Sequence, residues 1–369
     1  MGWRNSVSIR LCLKSFFLIL PFMAGGQQIF FPVKAPKHYI CYQVSTPIRI
    51  DGKLEEADWR NSEWTDYFMD ITGPAGATPY YDTQVKMLWD SQYFYIGAVL
   101  QEEHIWAKLT KRDEIIYYDN DFEIFIDPDG DNHHYMELEI NALNTVWDLF
   151  LERPYRDTTH ANSNFDLPNL LTAVEIEGTL NNPRDTDERW SVEIAIPWSD
   201  ITAFLPEIHR PLNQQQWRIN FSRVQWETTV KKGQYKKKKG KNGKPLPEHN
   251  WVWSPQWAIN MHQPEFWGYV QFSTEIAGTK EVPFFEDVDF DLKMALLEIY
   301  REQKSFFNTH GHFAEKLDDL TLDPYNREHF GQLITLETQP SGFTAQANGL
   351  KAIWKINEKS HLTFQDYLH

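Results

Sequence analysis

The chain has 369 residues, 36 basic against 52 acidic side chains, a formal net charge of −16, and 15% aromatic residues that include 15 Trp. A surface this acidic repels phosphate backbones, which excludes nucleic-acid binding as a general role. With only two Cys in this length, a disulfide-stapled scaffold is excluded too, and the fold must rest on a hydrophobic core.

In chain order, Arg4, Arg10 and Lys14 precede an apolar run over 15–23 and then Ala24-Gly-Gly26. A basic start, a short apolar middle and small residues at the cut predict a secretory signal peptide over 1–26. The run is shorter than the ~20 apolar residues that span a bilayer, and no later segment qualifies, so no transmembrane segment is expected after its removal. The expected product is exported, periplasmic or secreted. Losing three basic side chains takes the net charge from −16 to −19, and losing Cys12 leaves Cys41 alone.

After Pro32 and Pro36, strands are predicted at 83–89, 93–100, 121–127, 134–141, 145–151, 170–176, 189–196 and 217–226. Short strands separated by turns such as Asp129-Gly130 and Asn181-Asn-Pro183 indicate an all-β sandwich. The pair at 121–141 is the most informative. Phe122, Ile124 and Ile126 alternate with Asp121, Glu123 and Phe125; Met136, Leu138 and Ile140 alternate with Tyr135, Glu137, Glu139 and Asn141. A period of two sends one row to the core and leaves an outer row of carboxylates, an amide and aromatic rings suited to sugar hydroxyls and C–H faces. The turn Asp127-Pro-Asp-Gly-Asp131 resembles the start of a calcium loop, but the twelfth position is Leu138 where an EF-hand needs Glu, so it reads as an acidic turn. The stretch 152–169 reads as a loop. Residues 231–244 carry eight Lys among Gly233, Gly240 and Gly243, a density that predicts an exposed, solvated hairpin loop.

Near 272–283 the pattern turns helical. Phe290, Met294, Leu297 and Ile299 recur at helical spacing, Gly311 is a stop signal, residues 314–320 suggest a short helix, and strands follow at 332–337, 342–346 and 351–356. The fold class expected is mainly β, an antiparallel β-sandwich over 39–275 followed by a small α+β module over 284–369.

Five segments resemble the family 9 carbohydrate-binding modules of the DOMON-like sandwich superfamily. They are Ile50-Asp-Gly-Lys-Leu-Glu-Glu-Ala-Asp-Trp59; Leu88-Trp-Asp90 with Tyr93-Phe-Tyr-Ile96; Glu123-Ile-Phe-Ile-Asp127; Trp190-Ser-Val-Glu-Ile-Ala-Ile-Pro-Trp198; and Trp251-Val-Trp-Ser-Pro255 with Pro264-Glu-Phe-Trp-Gly268. They span about residues 40–272 in the family's order. The resemblance implies a sandwich that binds a glycan without cleaving it, beside polysaccharide-degrading enzymes. The family clamps a terminal sugar between two Trp rings. Here the first ring position is Tyr117, with Tyr118 beside it, and the carboxylate is Glu123. The family's Arg falls at Glu139, and the second ring position is Met261, with Trp257 four residues upstream and Trp253 or Trp226 as further substitutes. Related modules bind structural Ca²⁺, which the resemblance allows here without assigning ligands.

Two other classes stay open. The superfamily includes non-covalent haem-binding electron-transfer domains, for which Met261-His262 and His133-His134 supply ligand types. No Cys-x-x-Cys-His motif occurs, so covalent haem is excluded. A glycoside hydrolase acting on O-glycosyl bonds needs two carboxylates, and Glu123, Glu137, Glu139 and Asp148 are expected on one sheet face.

Overall fold

The computed structural model describes residues 33–367 apart from 160 and 163, so the expected signal segment 1–26 lies outside the described residues. The first half runs β1 (His38–Gln43), α1 (Ala57–Asn61), β2 (Met69–Asp70), β3 (Thr83–Trp89), β4 (Tyr93–Gln101), β5 (Asp121–Asp127), β6 (Tyr135–Asn141), β7 (Val146–Leu151), β8 (Leu171–Glu177) and β9 (Arg189–Pro197). Then come α2 (Trp198–Phe204), β10 (Gln216–Gln225), β11 (Thr228–Lys231), β12 (Gln234–Lys237), β13 (His249–Val252) and β14 (Gly268–Ile276). The chain closes with α3 (Phe290–His310), α4 (Pro324–Phe330), β15 (Ile334–Gln339), β16 (Gly342–Asn348), β17 (Ala352–Asn357) and β18 (Leu362–Asp366).

A 12-stranded sheet runs β7-β6-β5-β10-β14-β1-β3-β4-β9-β8, with β13 and β2 attached beside β10. It curls over one core, in which Phe122, Ile124 and Ile140 from one half meet Val85, Ile96 and Ile194 from the other. That is a mainly β sandwich, as the alternation predicts. It is mixed rather than wholly antiparallel, because β1 pairs in parallel with both β14 and β3 and joins the two halves. Pairing direction is set by how distant segments meet, which no local pattern encodes.

The lysine-rich segment is more ordered than expected. β11 and β12 form a hairpin whose Tyr235 is buried beside Trp106 and Trp226, and Lys237 Nζ sits 3.2 Å from the Trp226 ring centre.

Downstream, α3 packs its buried face, including Leu292, Leu296 and Ile299, on the sheet β15-β16-β17-β18. It ends at Gly311, whose φ of +76° is a left-handed conformation that glycine adopts at little cost. The short helix expected at 314–320 is only a 3₁₀ turn at Leu317–Asp319. The helix that follows is α4, where Asp323 accepts from the Tyr325 N–H at 2.9 Å and Pro324 takes the first turn.

This unit is fastened to the sandwich by polar side chains. Glu265, 1% exposed, is held by Arg156 at 2.8 Å and by Arg301 of α3 at 3.0 Å. Buried Asp157 accepts from Tyr300 Oη and Ser360 Oγ, each at 2.6 Å. The acidic turn after β5 takes part. Asp131 pairs with His361 Nε2 at 2.7 Å, and its carbonyl accepts the Leu362 N–H at 3.0 Å. His133 is buried, stacks on His361 with ring centres 4.4 Å apart, and has its Nε2 at 2.7 Å from the Lys359 carbonyl.

Candidate functional site

The outer face of β10, β5, β6 and β7 forms one wall of a cavity of about 430 Å³. Strand register puts four side chains in a row across it: Ser222 opposite Glu123, Glu123 opposite Glu139, and Glu139 opposite Trp147. The next row holds Phe125 opposite Glu137 and Glu137 opposite Leu149. Loops close the other sides with Tyr117, Tyr155, Glu248, Ile259, Asn260, Met261 and His262. The volume falls within the ~300–1,000 Å³ of small-ligand pockets, and the lining mixes rings with convergent polar groups.

Of the sequence-selected residues, Tyr117, Glu123 and Glu139 line this cavity, and Met261 joins them from the far loop. Tyr117 is fixed through its backbone: its N–H donates to Glu139 Oε2 at 2.9 Å and its carbonyl accepts from Trp226 Nε1 at 2.8 Å. Its half-buried ring meets Tyr118 edge-on at 4.9 Å and Trp147 at 6.3 Å. Tyr118 is 51% exposed and flanks the cavity without lining it.

Trp257 does not line the cavity. It adopts φ of +59°, its N–H donates to the Ile71 carbonyl at 3.1 Å, and its ring packs over Gly73 and against the core built on α3. Trp253 is buried in the sandwich core, and Trp226 is buried beside Trp106 and Tyr235. The rings that accompany Tyr117 are instead Trp147, half-buried on β7, and Tyr155, 45% exposed. Period-two alternation within 145–151 marks Trp147 as facing the same way as Leu149 and Leu151; nothing local in the loop 152–169 marks Tyr155.

Asp148 leaves the expected carboxylate set. It pairs with Leu138, which belongs to the core row of β6, so it faces away from the cavity. There it accepts from Arg112 and from the Leu167 N–H, each at 2.7 Å.

Asp121, Glu123, Glu137 and Glu139 are all buried, and none of them forms an ion pair among the described residues. Burial pushes the Glu123 carboxyl up to about 7, with the Ser222 hydroxyl opposing the shift. Burial first, and then the Glu123 charge, holds Asp121 and Glu137 well above the usual carboxylate range. Glu139 is raised by burial and then by its three acidic neighbours. Such carboxyls accept hydroxyl hydrogens when ionised and donate when protonated. One oxygen each from Asp121, Glu123 and Glu139 lies within 4.8 Å of the others, a spacing that can hold a cation. Asp127, Asp129 and Asp131 show the same spacing, but Asp127 already accepts from the Gly130 and Asn132 N–H groups at 2.9 and 3.0 Å. Of the histidines, half-buried His262 meets Tyr135 Oη through Nδ1 at 3.0 Å, and its pKa is pushed down to about 3 by desolvation and by Arg156.

Residues 50–233 match the family model described as carbohydrate family 9 binding domain-like. The chain carries a family 9-like carbohydrate-binding domain. The match contains Tyr117, Glu123, Glu139, Trp147 and Tyr155, whereas Trp257 and Met261 lie beyond it. Solved structures similar to the family 9-like chain include a proposed carbohydrate-binding protein from Bacteroides uniformis, at 16% identity and a TM-score of 0.47, covering 65% of this chain and 100% of that one. A family 9 module from Caldicellulosiruptor kristjanssonii in complex with cellotriose gives 17% identity and a TM-score of 0.41, covering 68% of this chain and 100% of that one. The corresponding glucose complex gives 17% and 0.39, covering 66% and 100%. The comparison with curated proteins found no significant match. Among the described residues, no helix is long and apolar enough to cross a membrane.

Proposed function

We propose that this chain binds a glycan, without cleaving it, in the cavity floored by Glu123, Glu137 and Glu139 and walled by Tyr117, Trp147 and Tyr155. The observation that carries this reading is the pairing, in one concavity of a family 9-like domain, of three aromatic rings with buried carboxyls. Ring faces make apolar contact with sugar C–H groups, and the acids hydrogen-bond to hydroxyls of fixed direction. In this reading Trp147 and Tyr155, rather than Trp257, accompany Tyr117 as the aromatic platform.

The arrangement favours binding over hydrolysis. Glycoside hydrolysis needs two carboxyls flanking the scissile bond from opposite sides, ~5–5.5 Å or ~6.5–9.5 Å apart. Glu123 and Glu139 are instead cross-strand neighbours on a single wall, while Glu248 comes from the loop side.

The proposal extends to export and to a role beside polysaccharide-degrading enzymes, supported by the basic-apolar-small pattern of residues 1–26 and the family match. A glycan array of plant, algal and host polysaccharides, followed by calorimetry on hits and on cellotriose and glucose, tests the binding. Fractionation of the native host tests the export. Absence of binding across the array would remove the glycan reading, and retention of the full-length chain in the cytoplasm would remove the export.

A further inference from the structure

We propose that the lysine-rich hairpin β11–β12 and the turn that follows it form a binding surface for the uronate or sulfate groups of an acidic glycan. The choice of a glycan as the polyanion rests on the function proposed above for the neighbouring cavity.

Residues 228–247 hold eight Lys and no acidic residue, in a chain of net charge −16. Among the described residues, Lys238 alone of the eight is ion-paired, to Glu227 at 2.7 Å. Lys231, Lys232, Lys236, Lys239, Lys241 and Lys244 are exposed. Repulsion between like charges favours a loose loop, yet the segment is built as two successive turns. β11 pairs with β12 from Thr228 opposite Lys237 to Lys231 opposite Gln234. Lys239 then bridges Pro245, and the Gly240 N–H donates to the Lys244 carbonyl at 2.9 Å. Buried Tyr235 pins the first turn: its Oη meets His104 Nδ1 and the Asn182 carbonyl, and its own carbonyl accepts from Lys108 Nζ, each at 3.2 Å. An ordered backbone thus presents a row of unpaired ammoniums, at a cost in self-repulsion that an anionic partner removes.

The surface adjoins the cavity. Tyr117 lines the cavity, its ring meets Tyr118 at 4.9 Å, and Lys237 Nζ lies 5.4 Å from the Tyr118 ring centre. The cavity lining includes Glu123, Glu137, Glu139 and Glu248 but neither Lys nor Arg. Acid groups are therefore repelled inside it and attracted just outside, so a ligand using both places an uncharged sugar in the cavity and its charged units on the hairpin. The charge distribution also selects a narrow polyanion. Fields reach about 8 Å at physiological salt. A lipid surface or a DNA duplex would bring its phosphates against the acidic body as well, whereas a single glycan chain can lie on the hairpin alone.

The test is calorimetry on the full chain with polygalacturonate, κ-carrageenan and cellotriose. It compares wild type, Trp147→Ala, and one variant combining Lys236→Gln, Lys239→Gln, Lys241→Gln and Lys244→Gln. At least one of the two acidic polysaccharides should bind wild type, about tenfold or more weakly in the lysine variant, and about tenfold or more weakly when NaCl is raised from about 50 to about 500 mM. Cellotriose affinity should be the same in wild type and the lysine variant. That variant loses repelling charges and no buried contact, so it should melt at or above wild type. Equal affinity of wild type and lysine variant for the acidic polysaccharides, or no binding of either, overturns the inference. Equally tight, lysine-dependent binding of phosphatidylserine vesicles or duplex DNA overturns it too, by making the hairpin a general polyanion surface. Trp147→Ala judges the cavity separately: lysine-dependent binding that it leaves unchanged counts against the cavity reading and for the hairpin.

Discussion

Trp147 and Trp257 show how one residue type takes opposite roles. Both are half-buried, but Trp147 looks into a cavity while Trp257 fills the seam between Gly73 and the core on α3. Trp257→Ala should therefore cost about 2–3 kcal/mol, somewhat below the ~3–5 kcal/mol of a fully buried ring, and leave glycan affinity within about twofold. Trp147→Ala should cost under ~1 kcal/mol and sharply weaken glycan binding, since few side chains dominate compact sites. Denaturant melts and calorimetry on both variants separate these outcomes. Glu123 and Glu139 could be placed on one face because they alternate along the β5–β6 pair, and Tyr117 because it lies on the short turn just before β5. Trp257 was misplaced because its positive φ and the space over Gly73 depend on how two distant loops meet.

At the level of elements, the strands were legible wherever the period-two pattern was clean, as in β5 and β6, whose bounds fall within a residue of expectation. The parallel pairing of β1, the strand β18 and the helix α4 were not, although Asp323-Pro324 carries a helix-start signal that was passed over. The turn after β5 reads locally as solvated acid, yet it holds the C-terminal unit. This makes a pH prediction. The Asp131 carboxylate raises the His361 pKa above its ordinary 6.5, so the folded state favours the charged ring. Stabilisation from the pair is then full below pH ~6.5 and lost as pH rises through the raised value. His133, stacked on His361 and pushed down mainly by burial, acts in the opposite sense and only below the ordinary histidine value. The melting-temperature difference between wild type and Asp131→Asn should accordingly shrink as pH is raised above ~6.5. A difference that grows or stays constant would show that the ion pair does not fasten the turn.

Across the whole molecule, the division into a sandwich and a smaller α+β unit follows from the change of hydrophobic period near residue 280, but the strength of their union does not. Glu265 lies buried between Arg156 and Arg301, a contact made by residues far apart in the chain. Glu265→Gln removes the charge shared by two guanidiniums, leaving Arg156 only Asp157 at 3.8 Å, and should cost about 3–5 kcal/mol, measured by urea unfolding. A loss below ~1 kcal/mol would mean that the seam is held elsewhere. The central claim is that this protein recognises a glycan through the rings and acids of the cavity on β5, β6 and β7. The most direct measurement is calorimetric affinity for the best array glycan in wild type, Trp147→Ala and Tyr155→Ala, each with its melting temperature. The account predicts about tenfold or greater loss of affinity in both variants with melting nearly unchanged; undiminished binding in both folded variants would place the glycan elsewhere and contradict it.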